Sequence, residues 1–275
     1  MMVTRFAPSP TGHLHLGHAF AAWTAAREGE RFLLRIEDLD AGRAREEFVF
    51  AIFEDLAWLG LSWEEPVLHQ SRRMPVYREA LDRLGSLTYP CFCTRREIAE
   101  EIAHAVEAPH LMGPDGPLYP GTCRHLPPGE RDARIARGDV YALRLDAAKA
   151  AEVAGPLTFI EHGQPRKVEP LLFGDVVLAR KDMPASYHLA VVVDDAFQGV
   201  TLVTRGEDLL PATHVQRLLQ ALLDYPAPAY AHHRLILDKN GRKFSKRDPS
   251  VTLRALRQAG LTPSGVEALL EIPVP

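Results

Sequence analysis

No apolar run in this sequence approaches the length of a membrane-spanning helix, and the N-terminus has no basic stretch leading into an apolar segment. A helical membrane anchor and a secretory leader are therefore not expected, and a cytoplasmic location is. Cysteine is scarce, at three residues in 275, which excludes a disulfide framework. Positive charge is not in excess: 32 Lys and Arg stand against 36 Asp and Glu, for a net charge of −4. A chain coated in basic groups for nonspecific nucleic-acid binding is excluded, whereas a local cluster that contacts RNA phosphates is not. Repeats and low-complexity tracts are absent as well. What is present is the composition of an ordinary globular protein, 46% hydrophobic and 25% charged. The length fits one main domain carrying an insertion.

The hydrophobic patterning is that of an α/β fold. "MVTRFA" reads as a strand, "LGHAFAAWTAARE" as an amphipathic helix and "RFLLRIEDL" as a second strand. A right-handed crossover would set the two strands side by side in a parallel sheet. "REEFVFAIFEDLAWLG" predicts a further helix that stops at Gly60. From about Tyr89 to Lys167 the pattern loosens, with many prolines and all three cysteines. Residues 1–88 and 168–248 are accordingly expected to form the two halves of one domain, with 89–167 inserted and 249–275 a short helical tail. In the second half, "YHLAVVVDD" reads as a buried parallel strand, "VTLVTRG" as another, and "HVQRLLQALL" as a helix. "RLILDKNGRKFSKRD" reads as a last strand running through an Asn-Gly turn into a cationic cluster.

Two stretches carry chemistry. "RFAPSPTGHLHLGH" places three histidines in a proline- and glycine-rich loop that opens the first helix, where free N–H groups and the helix dipole favour phosphate. His15 and His18, three apart, can share one face, and Gly17 leaves room for a base or ribose. "KFSKRD" places two lysines and an arginine on a glycine-preceded turn, able to close over a triphosphate and neutralise departing pyrophosphate. Candidates to hold carboxylates are Arg5 and Arg205, each at a strand end, because a guanidinium fork gives two parallel hydrogen bonds. Glu37 could accept from an ammonium and Tyr187 could supply a hydroxyl.

"HLGH" and "KFSKR" resemble the two signature motifs of class I aminoacyl-tRNA synthetases, and "RFAPSPTGHLHLGH" with "LRIEDLD" is similar to the glutamyl group of that class. The resemblance extends from Arg5 to about Asp248. It implies a Rossmann-like α/β catalytic domain with a zinc-containing insertion, and activation of L-glutamate to glutamyl-AMP with ATP and Mg²⁺. By the same resemblance, Arg5, Phe6, Ala7, Pro8, Ser9, Glu37, Tyr187 and Arg205 correspond to the glutamate pocket. His15, Gly17, His18, Lys243, Ser245 and Lys246 correspond to the ATP site, with His15, His18 and Lys246 in catalytic roles.

Cys91 and Cys93 form "CFC" and Cys123 follows in "YPGTC", a set one ligand short of a structural zinc tetrahedron. Candidates for the fourth ligand are Tyr119, His110 and His125, and general ligand chemistry favours a histidine. The "CxC…YxxxC" arrangement, however, resembles the short glutamyl-queuosine branch of the family, which implies Tyr119 as the fourth ligand, with His125 as the alternative. One structural Zn²⁺ per chain would pin the proline-rich insertion.

Only residues 249–275 follow the second motif. An anticodon-binding domain of the kind found in full glutamyl enzymes is therefore not expected. Together with the cysteines, this resembles the short branch, which implies transfer of glutamate to the queuosine base at the wobble position of tRNA(Asp), an unstacked loop nucleotide. A minimal synthetase charging a tRNA 3′ end is the alternative. A non-catalytic amino-acid-binding module ranks below both, since His15, His18 and Lys246 are all retained. A monomer without membrane contact is expected.

Overall fold

The computed structural model describes residues 1–104, 112–237 and 252–270. The first half contains β1 (Val3–Phe6), α1 (Leu16–Glu28), β2 (Arg31–Ile36), α2 (Glu46–Trp58), β3 (Glu64–His69) and α3 (Met74–Leu84). There follow β4 (Thr88–Cys91), α4 (Arg95–His104), β5 (Met112–Gly113), β6 (Gly116–Pro117), α5 (Pro128–Ala136), β7 (Ala142–Leu145) and α6 (Ala147–Ala154). Then come β8 (Thr158–Glu161), β9 (Gln164–Lys167), β10 (Val177–Arg180), α7 (Tyr187–Phe197), β11 (Leu202–Gly206), α8 (Ala212–Leu222) and β12 (Ala229–His233). The chain closes with α9 (Leu253–Gln258) and α10 (Pro263–Leu269). None of the described helices is long and apolar enough to cross a membrane.

β1, β2 and β3 pair in parallel in that order, and β11, β12 and β8 pair in parallel with β9 antiparallel at the edge. The two sheets meet at β1 and β11: the Thr201 backbone N–H donates to the Val3 carbonyl (3.0 Å), and the Val3 N–H to the Thr201 hydroxyl (2.8 Å). The strand order is thus β3-β2-β1-β11-β12-β8, and chain direction across the sheet reverses between β1 and β11. In open α/β sheets that switch point, beyond the strand carboxyl ends, is where ligands bind. Helix α1 crosses back over β1 with Ala19, Ala22, Trp23 and Ala25 buried. Gly29 ends it where any Cβ would collide with the Thr4 side chain and come within 2.7 Å of the Arg31 carbonyl.

Three departures from the sequence expectations have physical causes. "YHLAVVVDD" is a helix, α7, and not a strand: Ser186 caps it by accepting from the Leu189 N–H (3.4 Å), and packing against α3 and α8 buries Leu189 to Asp195. An apolar run buried on all sides carries no period that separates the two structures. Among the described residues the last sheet strand is β12, one step earlier than "RLIL", because Ala229–His233 takes the register beside β11. A second sheet, β10-β7-β4, is antiparallel and spans residues 88 to 180, so its third strand lies past the 167 boundary read from composition. β8 and β9, inside that span, pair with the main sheet instead.

Candidate active site

At the switch point lies a cavity of about 410 Å³, within the usual range for a small-molecule site. Arg5, Phe6, Ala7, Pro8, Ser9, Glu37, Tyr187 and Arg205 all line it, together with His18, Thr204 and Gly206. Every residue expected in the glutamate pocket is therefore in one wall or another of a single cavity.

The wall formed by β1 and β2 rests on a charge network. Arg5 Nε donates to Asp195 Oδ1 (3.1 Å) and its Nη1 to the Thr204 carbonyl (3.2 Å). Arg35 Nη1 donates to the same Asp195 oxygen (2.7 Å) and to Gln198 (3.0 Å), and its Nη2 to Glu37 (3.4 Å). Burial opposes ionisation of Asp195, but Arg5 and Arg35 outweigh it and hold its carboxyl below the usual range. Glu37 goes the other way: burial, with Asp195 and Asp194 adding to it, raises its carboxyl against the pull of Arg35 and Arg5. Glu37 is held by Arg35 through one long contact (3.4 Å) on Oε1, so its acceptor capacity is not used up and it can take hydrogen bonds from an incoming ammonium.

Arg205 faces the cavity from β11. It is buried, and its partners are neutral: Nε donates to His232 Nε2 (3.1 Å), Nη1 to Gln216 (2.8 Å) and to the Tyr187 hydroxyl (3.2 Å), and Nη2 to Thr213 (2.8 Å). Among the described residues no carboxylate touches it. Four of its five N–H groups are thereby used, and the Tyr187 oxygen accepts while its own proton is left to donate. One guanidinium N–H and one hydroxyl proton make a two-donor set for a carboxylate.

At the start of α1 the histidines cap each other. His15 Nδ1 accepts from the Gly17 N–H (3.2 Å), and His18 Nδ1 accepts from the His15 N–H (3.1 Å). Each neutral ring therefore carries its proton on Nε2, a donor suited to phosphate oxygens. Gly17 serves this cap directly, since a Cβ there would sit 3.2 Å from the His15 ring. Lys243, Ser245 and Lys246 lie outside the described residues, as does His110. The chain returns from that stretch at Thr252, which bridges to His15, while the Leu253 N–H donates to the Leu14 carbonyl (2.8 Å).

The insertion gathers its cysteines. The sulfurs of Cys91, Cys93 and Cys123 all lie within 4.8 Å of one another, with Cys93 and Cys123 3.4 Å apart. A tetrahedral zinc with ~2.3 Å Zn–S bonds needs sulfur separations of about 3.8 Å. The Tyr119 hydroxyl lies 3.5 Å from the Cys93 sulfur and accepts from the Cys123 N–H (2.9 Å). His125 is not among the ligand-type residues of the group. Burial pushes the Cys93 thiol up to about 12. Cys123 is held down despite its burial, by the Tyr119 hydroxyl and the Phe92 N–H donating to its sulfur (3.3 Å). The donor set fits a thiophilic divalent ion.

Sequence reasoning did not single out Arg35, Glu161, Asp195, Thr213, Gln216 or His232, all buried around the cavity wall. Two adjacent acids at the end of the apolar run "VVVDD" were the available signal for Asp195.

Comparison with known proteins places the chain among synthetases. The family model described as tRNA synthetases class I (E and Q), catalytic domain, matches residues 1–270. A Rhodobacter capsulatus protein named glutamyl-Q tRNA(Asp) synthetase is 48% identical, the match covering 98% of this chain and 99% of that protein. One of the same name from Nocardia farcinica is 49% identical over 97% of this chain and 82% of its own length. A solved glutamate tRNA ligase from Elizabethkingia meningosepticum, in complex with its amino acid, superposes with a TM-score of 0.72 at 29% identity. That match covers 90% of this chain, which spans about half (52%) of the ligase.

Proposed function

Because the chain belongs to the class I tRNA synthetase (E and Q) catalytic-domain family, we propose that it activates L-glutamate with ATP and transfers the glutamyl group to the queuosine base at the wobble position of tRNA(Asp). The observation that carries the substrate assignment is Arg205, a buried guanidinium on the cavity wall whose described partners are all neutral. Arg5 is already neutralised by Asp195, so Arg205 is the cation with charge to spare, and it takes the side-chain carboxylate with the Tyr187 hydroxyl. Glu37 accepts from the substrate ammonium. An amide in place of that carboxylate could accept from one of the two donors but would set its NH₂ against the other, which disfavours glutamine.

The substrate α-carboxylate then attacks the α-phosphorus of ATP, the bond to the bridging oxygen breaks, and pyrophosphate leaves. No protein nucleophile takes part; the residues hold two anions in register and stabilise the charge that develops. His15 and His18 donate through Nε2 at the helix start, and Lys246 with Lys243 and Ser245 serves the triphosphate, to which Mg²⁺ is the counter-ion. In the second step the queuosine base attacks the activated carbonyl and AMP departs. In the insertion, Cys91, Cys93, Tyr119 and Cys123 would hold one zinc ion, whose contribution would be structural.

The two relatives named glutamyl-Q tRNA(Asp) synthetase, matched over most of their length, support this acceptor over a tRNA 3′ end. The test is transfer of labelled glutamate, with ATP, onto tRNA pools with and without queuosine. Label confined to the queuosine-containing pool supports the proposal. Equal label on both pools assigns ordinary aminoacylation instead, and no label on either leaves a binding module.

A further inference from the structure

Three residues far apart in sequence line up across neighbouring strands behind the cavity. Arg205 on β11 stands in register with His232 on β12, and Glu161 on β8 occupies the next strand. All three are buried. Glu161 closes on His232 with both oxygens: Oε1 accepts from the His232 backbone N–H (3.0 Å) and Oε2 contacts Nδ1 (2.7 Å). On the far side of the ring, Nε2 lies 3.1 Å from Arg205 Nε.

The chemistry of the donors settles the protons. Arg205 Nε–H can only donate, so His232 Nε2 must accept, and the ring proton resides on Nδ1 facing Glu161. Burial, with the Arg205 charge next, holds His232 down at about 4, so the ring is neutral. A second imidazole, His162, borders the relay, with Nε2 2.9 Å from the His232 carbonyl and 3.3 Å from Glu161 Oε1, but it is largely exposed.

We propose that Glu161 and His232 are positioning residues for substrate recognition: they form a carboxylate–imidazole relay that fixes Arg205 Nε while keeping the balancing negative charge one ring away. A carboxylate in direct contact with Arg205 would occupy the donors that the substrate needs. A neutral ring between carboxylate and guanidinium fixes Nε, alongside Gln216 and Thr213 on the Nη atoms, and leaves the outer edge for the side-chain carboxylate. This inference rests on the reading of the cavity as the glutamate site.

Glu161→Gln tests it with little change of shape. Both groups that Glu161 meets on His232 are donors, and a glutamine offers one acceptor and one donor. If the amide oxygen keeps the backbone N–H, its NH₂ faces Nδ1 and drives the ring proton to Nε2, against Arg205 Nε–H. If the amide is turned, its NH₂ faces the backbone N–H. Either way a buried donor is left facing a donor, worth about tenfold in affinity.

The readout is steady-state kinetics of the full chain with queuosine-containing tRNA, varying glutamate and ATP separately. The KM for glutamate is expected to rise about tenfold, with kcat and the KM for ATP within about twofold, and preference for glutamate over glutamine should fall in parallel. His232→Leu, which removes the acceptor for Arg205 Nε, should give the same split. A merely structural role would raise both KM values or lower kcat with neither preference nor selectivity changed, and that result, or unchanged glutamate KM in both variants, overturns the relay. Loss of glutamate activity in the unaltered protein would instead remove the glutamate reading beneath it.

Discussion

Asp195→Asn should be among the most damaging isosteric changes available in this protein. Arg5 and Arg35 are both buried and share Asp195 Oδ1, at 3.1 and 2.7 Å. With Glu37 beside Arg35, the four groups sum to zero charge. The neighbouring Asp194 also favours the Arg35 charge, but its oxygens are engaged by Arg73, Gln70 and Tyr77, so it cannot replace the lost contact. Asn at 195 leaves one positive charge buried without compensation. Breaking a buried pair in this way costs about 3–5 kcal/mol, and since the amide oxygen still accepts one N–H the lower end, about 3 kcal/mol, is expected. For a chain of this size that is roughly 6–12 °C in Tm. The sign of the pH dependence follows from the depressed Asp195 carboxyl: its contribution is present above the ordinary carboxylate range and is lost as pH falls through the lowered value. The gap between wild type and variant should therefore narrow in acid. Urea and thermal unfolding of wild type, Asp195→Asn, Arg35→Met and the double variant give the magnitudes. The double variant restores neutrality and should cost less than the sum of the singles. A single variant within about 0.5 kcal/mol of wild type, or strict additivity in the cycle, would refute the shared-counterion account.

Lys246→Ala should abolish most glutamate-dependent exchange of pyrophosphate into ATP, measured with tRNA present; near-normal exchange would remove its role at the triphosphate. Stripping zinc with a chelator should lower the unfolding temperature and release about one equivalent of metal, and Cys123→Ser should lose the metal, as atomic absorption would register. A chelator-treated chain with unchanged unfolding would contradict a structural metal. Asp55 on α2 is buried with neither oxygen hydrogen-bonded; burial, with Arg257 at 3.7 Å only partly offsetting it, pushes its carboxyl up to about 6. A raised native value means stability falls as pH climbs from the ordinary carboxylate range to about 6 and stays low above it. Asp55→Asn should accordingly raise Tm at alkaline pH and change it little in acid, and an equal effect at both would dispose of this reading.

The parts of the site that could be read in the sequence are those where chemistry is concentrated locally. Arg5 at the end of β1, His15 and His18 at the start of α1, and Arg205 and Glu37 at two strand ends follow from strand–loop–helix patterning, whereas Phe6 to Ser9 came from the family resemblance. The helix α7 was hidden because an apolar run buried by α3 and α8 lacks an exposed face. That error also concealed Asp194 and Asp195. In a strand, adjacent acids point to opposite faces, whereas about 100° apart on a helix they reach two separate arginine sets, Arg73 on one side and Arg5 with Arg35 on the other. The relay was illegible for a different reason. Glu161, Arg205 and His232 meet only through the order β11-β12-β8, and nothing around "AYAHHRL" distinguishes His232 from an ordinary strand residue. Past residue 167, where the sequence has regained a regular pattern, β10 adds to the antiparallel sheet of β4 and β7, a pairing that composition does not reveal.

The most direct measurement of the central claim is where the glutamate ends up. Purified tRNA(Asp) carrying queuosine, incubated with the protein, ATP and glutamate, should be digested to nucleosides and examined by mass spectrometry. The account predicts that the mass of a glutamyl group appears on the queuosine nucleoside while the 3′-terminal adenosine is unchanged. Glutamate on the terminal adenosine, with queuosine unmodified, would contradict it.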